Sequence, residues 1–283
     1  MAVKIFVGNY KGGVGKTVST FNIGCLLNIM LNKSVLLMDL DPQSSLSEIC
    51  LKNIDKNLYD LNDNEVLNYV FDVYMQGKQC NISNIKVDST SLIKHSENVD
   101  FIPSDIFYSN GGLDSLAMKM ATDDMNIVLL KQFIDDNDLD SKYDYILFDC
   151  PPSNNLITQS AFMVSDYYLI PTIMDNISTK GINHYVKIVD ALYNKYCNSE
   201  QNKNAILMKL FFGDEPKLLG VFETMRKGNT NTNEYRSQIK DKYHLFESEV
   251  KHIKEIAEDA GKGIFNKVYE PIVVEIINRL NSI

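Results

Sequence analysis

The stretch "KGGVGKT" (residues 11–17) places two lysines and three glycines within seven residues. Gly12, Gly13 and Gly15, with Val14 between them, let backbone N–H groups turn inward around an anion, because glycine tolerates the φ values this requires. Lys16 supplies a point charge for β- and γ-phosphate, and Thr17 supplies a hydroxyl for Mg²⁺. The strict phosphate-loop pattern, G-x-x-x-x-G-K-[ST], would put a glycine at position 10, where this chain has Tyr10. Lys11 is a second lysine where one would suffice. Hydrolysis of a nucleoside triphosphate also needs a carboxylate for the metal and a group to orient water. "VLLMDLDPQ" offers Asp39 and Asp41, and "ILFDCPP" offers Asp149. The competing role for these aspartates is to cap turns or helices, and Asp41-Pro42 is also a common turn opener.

Such groups act together only if the chain carries them to one place. Residues 4–9, "KIFVGN", read as a short buried strand that runs into the loop. A helix is expected from about residue 16 to residue 31, with Phe21, Gly24 and Cys25 facing inward. Its positive end aims at the loop. Further strands are expected at 34–39, 98–104, 143–149, 166–172 and 217–224. Helices are expected near 125–133 and at 179–196, 233–242 and 270–280. Strands alternating with helices predict an α/β fold, a mostly parallel twisted sheet with helices on both faces. Strands that end in aspartate deliver those residues to the carboxyl edge, where ligands of such sheets sit. One domain is expected over residues 1–283. Residues 52–98, polar and Asn-rich, are expected to hold small helices and loops peripheral to the sheet.

Composition narrows the function classes. The chain is 45% hydrophobic and 23% charged, as in soluble globular proteins. No apolar run is long enough for a membrane span, and no secretion signal is evident. Cys25, Cys50, Cys80, Cys150 and Cys197 form no C-x-x-C pair, which argues against a zinc site and for reduced thiols in the cytoplasm. The net charge is −9, and it is unevenly placed. Residues 1–150 carry 12 Lys and Arg against 21 Asp and Glu, whereas residues 151–283 carry 16 against 16. A local patch in the second half can therefore still meet a polyanion.

"KGGVGKT", "VLLMDLDPQSSLS" and "YDYILFDCPPS", in this order, resemble the ParA/MinD family of deviant Walker ATPases. "LIPTIMDNISTKGI", "LLGVFETM" and "LFESEVKHIKEIAEDAGKGIF" are similar to ParA sequences as well. The resemblance runs nearly end to end, apart from residues 52–98. It implies a P-loop fold with a deviant Walker A loop, ATP and Mg²⁺ as cofactors, and partition of plasmid or chromosomal DNA. It also implies a homodimer in the ATP state and a centromere-binding, ParB-type partner that stimulates hydrolysis. By this resemblance Lys11 matches the lysine that crosses the dimer interface to the partner's nucleotide. A cation delivered in trans speeds phosphoryl transfer by roughly 10³–10⁵ in arginine-finger systems. Lys16 and Thr17 match the loop pair, Val18 follows in the nucleotide-binding stretch, and Asp41 matches the residue that positions the attacking water. Asp39 matches a carboxylate near Mg²⁺, and Asp149 matches Walker B. Thr224, Met225 and residues 250–253 correspond to regions that contact the base.

Two modes of action compete within that family. Non-specific DNA binding would use phosphate contacts from lysine and arginine. The best segment is 224–242, with Arg226, Lys227, Arg236, Lys240 and Lys242. The bland alternative is a solvated helix face of mixed charge. In a MinD-type ATPase a basic C-terminal helix would lie on lipid. Here Ile272, Val273, Ile276, Ile277 and Leu280 form an apolar stripe without basic excess, so a core-packing helix and no membrane partner are expected. A cytoplasmic protein, nucleoid-associated when bound to ATP, follows from the first mode. No N-terminal helix-turn-helix extension is expected, because the chain starts directly at its first strand.

Overall fold

The computed structural model describes residues 1–82, 84–228 and 231–283. In chain order the main elements are β1 (Val3–Val7), α1 (Lys16–Leu31), β2 (Val35–Asp39), α2 (Ser45–Asn53), α3 (Leu67–Gln79), β3 (Lys94–His95) and β4 (Asp100–Ile102). Then follow α4 (Leu113–Met120), α5 (Leu129–Asp136), α6 (Leu139–Lys142), β5 (Tyr145–Asp149), α7 (Leu156–Val164), β6 (Tyr167–Thr172) and α8 (Asn176–Tyr193). The chain closes with α9 (Ala205–Phe212), β7 (Lys217–Arg226), α10 (Asn233–Lys240), β8 (Leu245–Lys251), α11 (Lys254–Ala260) and α12 (Glu270–Leu280).

The strands form one sheet in the order β3-β4-β2-β5-β1-β6-β7-β8. All neighbours are parallel except β3, which pairs antiparallel to β4 at the edge. β1 runs down the middle between β5 and β6. Apart from Lys4, whose ammonium pairs with Asp140, its residues are apolar without alternation because helices cover both faces. Two apolar clusters result. On one face Phe6, Met38, Ile146 and Phe148 meet α3, α4, α5 and α7. On the other, Ile5, Val7, Leu37 and Leu147 meet α1 and α12. Each fully buried Leu, Ile or Phe contributes roughly 1.5–3 kcal/mol relative to an exposed one.

The expected architecture is present, and α1 and α12 have the expected bounds. Three expectations change. Among the described residues the sheet has eight strands rather than six, because the edge pieces β3 and β8 add to it. Residues 52–98 are not all peripheral: α3 lies in this span and buries Leu67, Val70, Phe71, Tyr74 and Met75 in the core. α8 starts three residues earlier than expected, because the Asp175 side chain caps it by accepting the Ser178 N–H. The apolar stripe of α12 is consumed inside the fold: Ile272, Val273 and Ile276 are fully buried against the same core as α1.

Candidate nucleotide site at the carboxyl edge

The carboxyl ends of β1, β2 and β5 converge on the loop. β2 and β5 are neighbours, with Asp39 and Asp149 in register as Cα partners. β5 also pairs with β1, so Asp149 is level with Val7, the last residue before the loop. Gly13 (φ +70°) and Gly15 (φ +77°) both take left-handed backbone angles, which glycine adopts without steric penalty. Gly15 caps α1, and the Gly15 carbonyl accepts the Ser19 N–H at 2.9 Å as the first helical bond. Loop N–H groups and the positive end of a 16-residue helix thus share one cavity mouth. Lys16 is 7% exposed, and its Nζ reaches back to the Lys11 carbonyl at 3.5 Å. Burial lowers its pKa, opposed by the nearby Asp149 and Asp41 charges.

Tyr10 explains its own departure from the strict pattern. Its ring packs edge-on against Tyr185 of α8 at 4.9 Å between centroids. The loop is therefore anchored by an aromatic contact where a plain turn would carry glycine. Thr224 anchors it from the other side: its hydroxyl lies 2.8 Å from the Val14 carbonyl and 3.0 Å from the Thr172 carbonyl.

The acidic residues differ in how they are held. Asp149 is fully buried, and its Oδ1 accepts from Thr20 Oγ1 at 3.1 Å. Its Oδ2 is buried with no hydrogen-bond partner among the described residues. Burial first, and repulsion from Asp39 second, push its pKa far up. A buried carboxylate oxygen left without a partner beside a hydroxyl and a phosphate-type loop is a natural seat for a cation. The residues present therefore fit Mg²⁺. Asp39 is also buried, but both its oxygens are engaged. Oδ1 accepts the Asp41 N–H at 3.0 Å, and Oδ2 accepts from Ser47 N and Oγ at 2.8 and 2.6 Å. In this structure Asp39 organises the loop after β2 rather than facing an open seat. Asp41 accepts the Gln43 N–H at 2.9 Å and is partly exposed.

A largely apolar cleft opens beside the loop. Gly15, Val18, Thr224, Met225, His252 and Tyr269 line it, together with neighbouring β8 and α11 residues. A flat base would fit between such walls. Met225 takes a left-handed φ of +53°, and its Cε lies 3.6 Å from where a Cβ on Gly15 would sit. Sequence reasoning reached Val18, Thr224, Met225 and residues 250–253, but missed Ile256, Ala257 and Tyr269. Tyr269 is buried with its hydroxyl 3.1 Å from Ser19 Oγ. No local signal marked it, since it approaches α1 from 250 residues away.

Two expected cationic residues are placed elsewhere. Arg226 and Arg236 both turn inward to Glu223, which is 1% exposed. Arg236 pairs with it at 2.7 Å and also donates to the Phe246 and Glu247 carbonyls. A buried carboxylate needs such partners, so these arginines stabilise the β7–β8 edge. Lys227, Lys240 and Lys242 are exposed, although Lys240 pairs with Glu247 at 2.7 Å. Lys11 does not point into its own loop. Its Nζ donates to Asp175 Oδ2 at 2.6 Å and to Ser178 Oγ at 2.9 Å.

A glycine loop at a helix N-terminus, a buried lysine, and an aspartate oxygen without a hydrogen-bond partner at the end of an adjoining strand define a Walker-type nucleotide-binding protein. The family described as AAA domain matches residues 2–203. The chain belongs to that family and is a ParA/MinD-type Walker ATPase. It is 28% identical over 226 residues to the sporulation initiation inhibitor protein Soj of Bacillus subtilis, covering 79% of this chain and 78% of Soj. It is 28% identical over 238 residues to the virulence plasmid ParA family protein pGP5-D of Chlamydia psittaci, covering 82% and 79%. A plasmid partition protein from Borrelia burgdorferi, solved bound to AMPPNP, shares the fold with a TM-score of 0.72 at 23% identity, over 100% of both chains.

Proposed function

We propose that this chain is an ATP- and Mg²⁺-dependent partitioning ATPase of one catalytic domain, whose ATP-bound dimer binds DNA non-specifically. The carrying observation is the orphaned Asp149 Oδ2 opposite the buried Lys16. Thr17 and Asp149 would hold the metal, with Asp39 behind them fixing the loop after β2. When bound, Mg²⁺ neutralises charge on the terminal phosphates. Lys16 holds β- and γ-phosphate, the N–H groups of residues 12–18 surround the remaining oxygens, and Asp41 orients water. Thr224, Met225 and Tyr269 wall the base.

Lys11 reaches a partner subunit's nucleotide in the closed dimer. Hydrolysis is thereby conditional on pairing, and ATP favours the dimer through the differential contacts that Lys11 makes. A centromere-binding partner protein triggers hydrolysis and release, and the ATP-bound form is nucleoid-associated. DNA contacts fall to Lys227, Lys240 and Lys242, with exposed Lys251 and Lys254 alongside. Among the described residues no helix is long and apolar enough to cross a membrane, and Ile272, Val273 and Ile276 of the α12 stripe are buried in the fold.

Parallel co-sedimentation with DNA and with anionic liposomes, each with ATP and with ADP, tests the proposal. ATP-dependent binding to DNA alone supports it, and ATP-dependent binding to lipid alone replaces it with membrane cycling. Lys11→Ala is expected to keep nucleotide binding but lose ATP-dependent dimerisation by light scattering. Dimerisation equal to wild type would remove Lys11 from the interface.

A further inference from the structure

Lys11 is tied to its own subunit through its backbone. Its backbone N–H donates to Asn9 Oδ1 at 3.0 Å, and Asn9 Nδ2 donates to the Pro171 carbonyl at 2.9 Å. The loop is thus tied to the end of β6, and the Lys11 side chain is aimed at the start of α8. There the two oxygens of Asp175 divide their work. Oδ1 accepts the Ser178 N–H at 2.7 Å and caps the helix. Oδ2 accepts from Lys11 Nζ at 2.6 Å, and Ser178 Oγ accepts from the same ammonium at 2.9 Å.

This is an awkward place for a cation. The N-terminus of a helix carries partial positive charge and repels an ammonium. The Asp175 carboxylate offsets that repulsion, with the Ser178 hydroxyl as a second acceptor. The pair is also half open to solvent, with side chains 33% and 40% exposed. Exposed pairs are weak because water screens them and two flexible side chains must be fixed. Meanwhile Lys16 already fills the subunit's own loop at 7% exposure. Lys11 is therefore surplus to its own site, oriented by a partner 164 residues away, and releasable.

We propose that Asp175 is the positioning residue for Lys11: it holds the ammonium in cis in the unpaired subunit and competes for it with the phosphates bound by a neighbouring copy. This rests on the reading of Lys11 as the residue that acts in trans. Closure of a dimer breaks two such pairs. Each exposed pair is worth a factor of about 1.5–5 in an equilibrium. Dimer affinity is therefore held back by about 2- to 25-fold.

Asp175→Asn separates the two jobs of the residue, since asparagine still caps a helix but loses the charge that holds Lys11. The dimerisation constant of the full chain with Mg²⁺ and AMPPNP is measured by sedimentation velocity for wild type, Asp175→Asn, Lys11→Ala and the double variant. The expected result is dimerisation 2- to 25-fold tighter in Asp175→Asn, with no such gain when Lys11 is already alanine. Affinity unchanged or weakened in Asp175→Asn, at an unaltered melting temperature, overturns the proposal. So does a gain that persists in the double variant. A second readout uses no dimer: chemical acetylation of Lys11 in the nucleotide-free chain, followed by mass spectrometry. Faster labelling in Asp175→Asn supports the cis pair, and equal labelling refutes it. If Lys11→Ala dimerises like wild type, the trans role fails, while the labelling result still decides whether Asp175 holds Lys11.

Discussion

Replacing Asp149 by asparagine should make the nucleotide-free protein more stable while impairing its use of Mg²⁺. Asp149 is fully buried, one oxygen accepts from the Thr20 hydroxyl, and the other has no hydrogen-bond partner among the described residues. Its register partner on β2 is Asp39, a second buried carboxyl. Burial and that neighbour raise the Asp149 pKa above its unfolded value. A raised carboxyl pKa contributes stability that is complete below the unfolded value near 4 and is lost as pH rises toward the folded value. Wild-type stability without nucleotide should therefore decline between pH 5.5 and pH 8. An unsatisfied buried charged group is worth about 1–3 kcal/mol or more. Asp149→Asn removes the charge, so at pH 8 the variant should gain about 1–3 kcal/mol. At this chain length each kcal/mol moves the melting temperature by about 2–4 °C. At pH 5.5 the gain should largely vanish, because the wild-type group is then protonated. Adding Mg²⁺ and ATP should raise the wild-type melting temperature and raise the variant's much less, since only the wild type offers the metal a charged ligand. Scanning calorimetry at both pH values, with and without Mg²⁺ and ATP, reads all four quantities. A variant that melts below wild type at pH 8, or that gains the same ligand shift, would refute the argument that Asp149 is a destabilising charge kept for a cation.

Three other perturbations are read against stability or binding. Glu223→Gln strips the charge that holds Arg226 and Arg236, and breaking a buried pair of this kind lowers stability by about 3–5 kcal/mol; urea unfolding should show the loss, and a change below about 1 kcal/mol would mean the network is dispensable. Thr224→Val deprives the Val14 and Thr172 carbonyls of their shared donor, which should lower stability by about 1–3 kcal/mol and weaken nucleotide binding measured by calorimetric titration. For Glu65, partial burial would raise the pKa, but hydrogen bonds from Lys94 and Asn62 outweigh it and hold the carboxyl at about 2. Its stabilising effect is therefore present above its ordinary value and lost as pH falls toward 2, so Glu65→Gln should melt below wild type at pH 7 and level with it near pH 2.

The glycine-rich loop and the strand ends were legible because their chemistry is local. Glycines, a lysine and a threonine in one stretch need only a strand before them and a helix after, and both are present. What escaped was set by distance along the chain. Arg226 and Arg236 are visible as charges, but their partner Glu223 sits fully buried within a strand, and nothing local marks a buried glutamate there. Asp175 three residues before Ser178 is a readable helix cap, yet its bond to Lys11 spans 164 residues. The miss of α3 has a different cause. Leu67, Val70, Phe71, Tyr74 and Met75 follow a helical period and are all buried, but the flanking Asn and Asp residues masked it. β8 was missed as a strand because Glu247, Ser248 and Glu249 interrupt its apolar ends.

The placement of the arginines bears on what kind of DNA binding the chain can have. Arginine reads guanine through a planar, bidentate fork, whereas lysine meets phosphate as a point charge. Both arginines of the 224–242 segment are spent on Glu223 and backbone carbonyls. The cations exposed there among the described residues are Lys227, Lys240 and Lys242, with Lys251 and Lys254 just beyond, of which Lys240 pairs with Glu247 and Lys254 with Glu258. A surface of lysines on a chain of net charge −9 can neutralise phosphates locally but has little with which to tell one base pair from another. Binding should then be sequence-independent and steeply salt-dependent, since each phosphate contact contributes a slope of about −0.9 in log K against log salt. Lys242→Glu should shallow that slope by about one unit equally on unrelated sequences. Arg236→Ala should destabilise the β7–β8 edge instead and leave the slope of the folded protein unchanged. Fluorescence anisotropy on two unrelated duplexes across a salt series separates these outcomes. A slope that falls for Arg236→Ala but not for Lys242→Glu would return the DNA contact to the arginines.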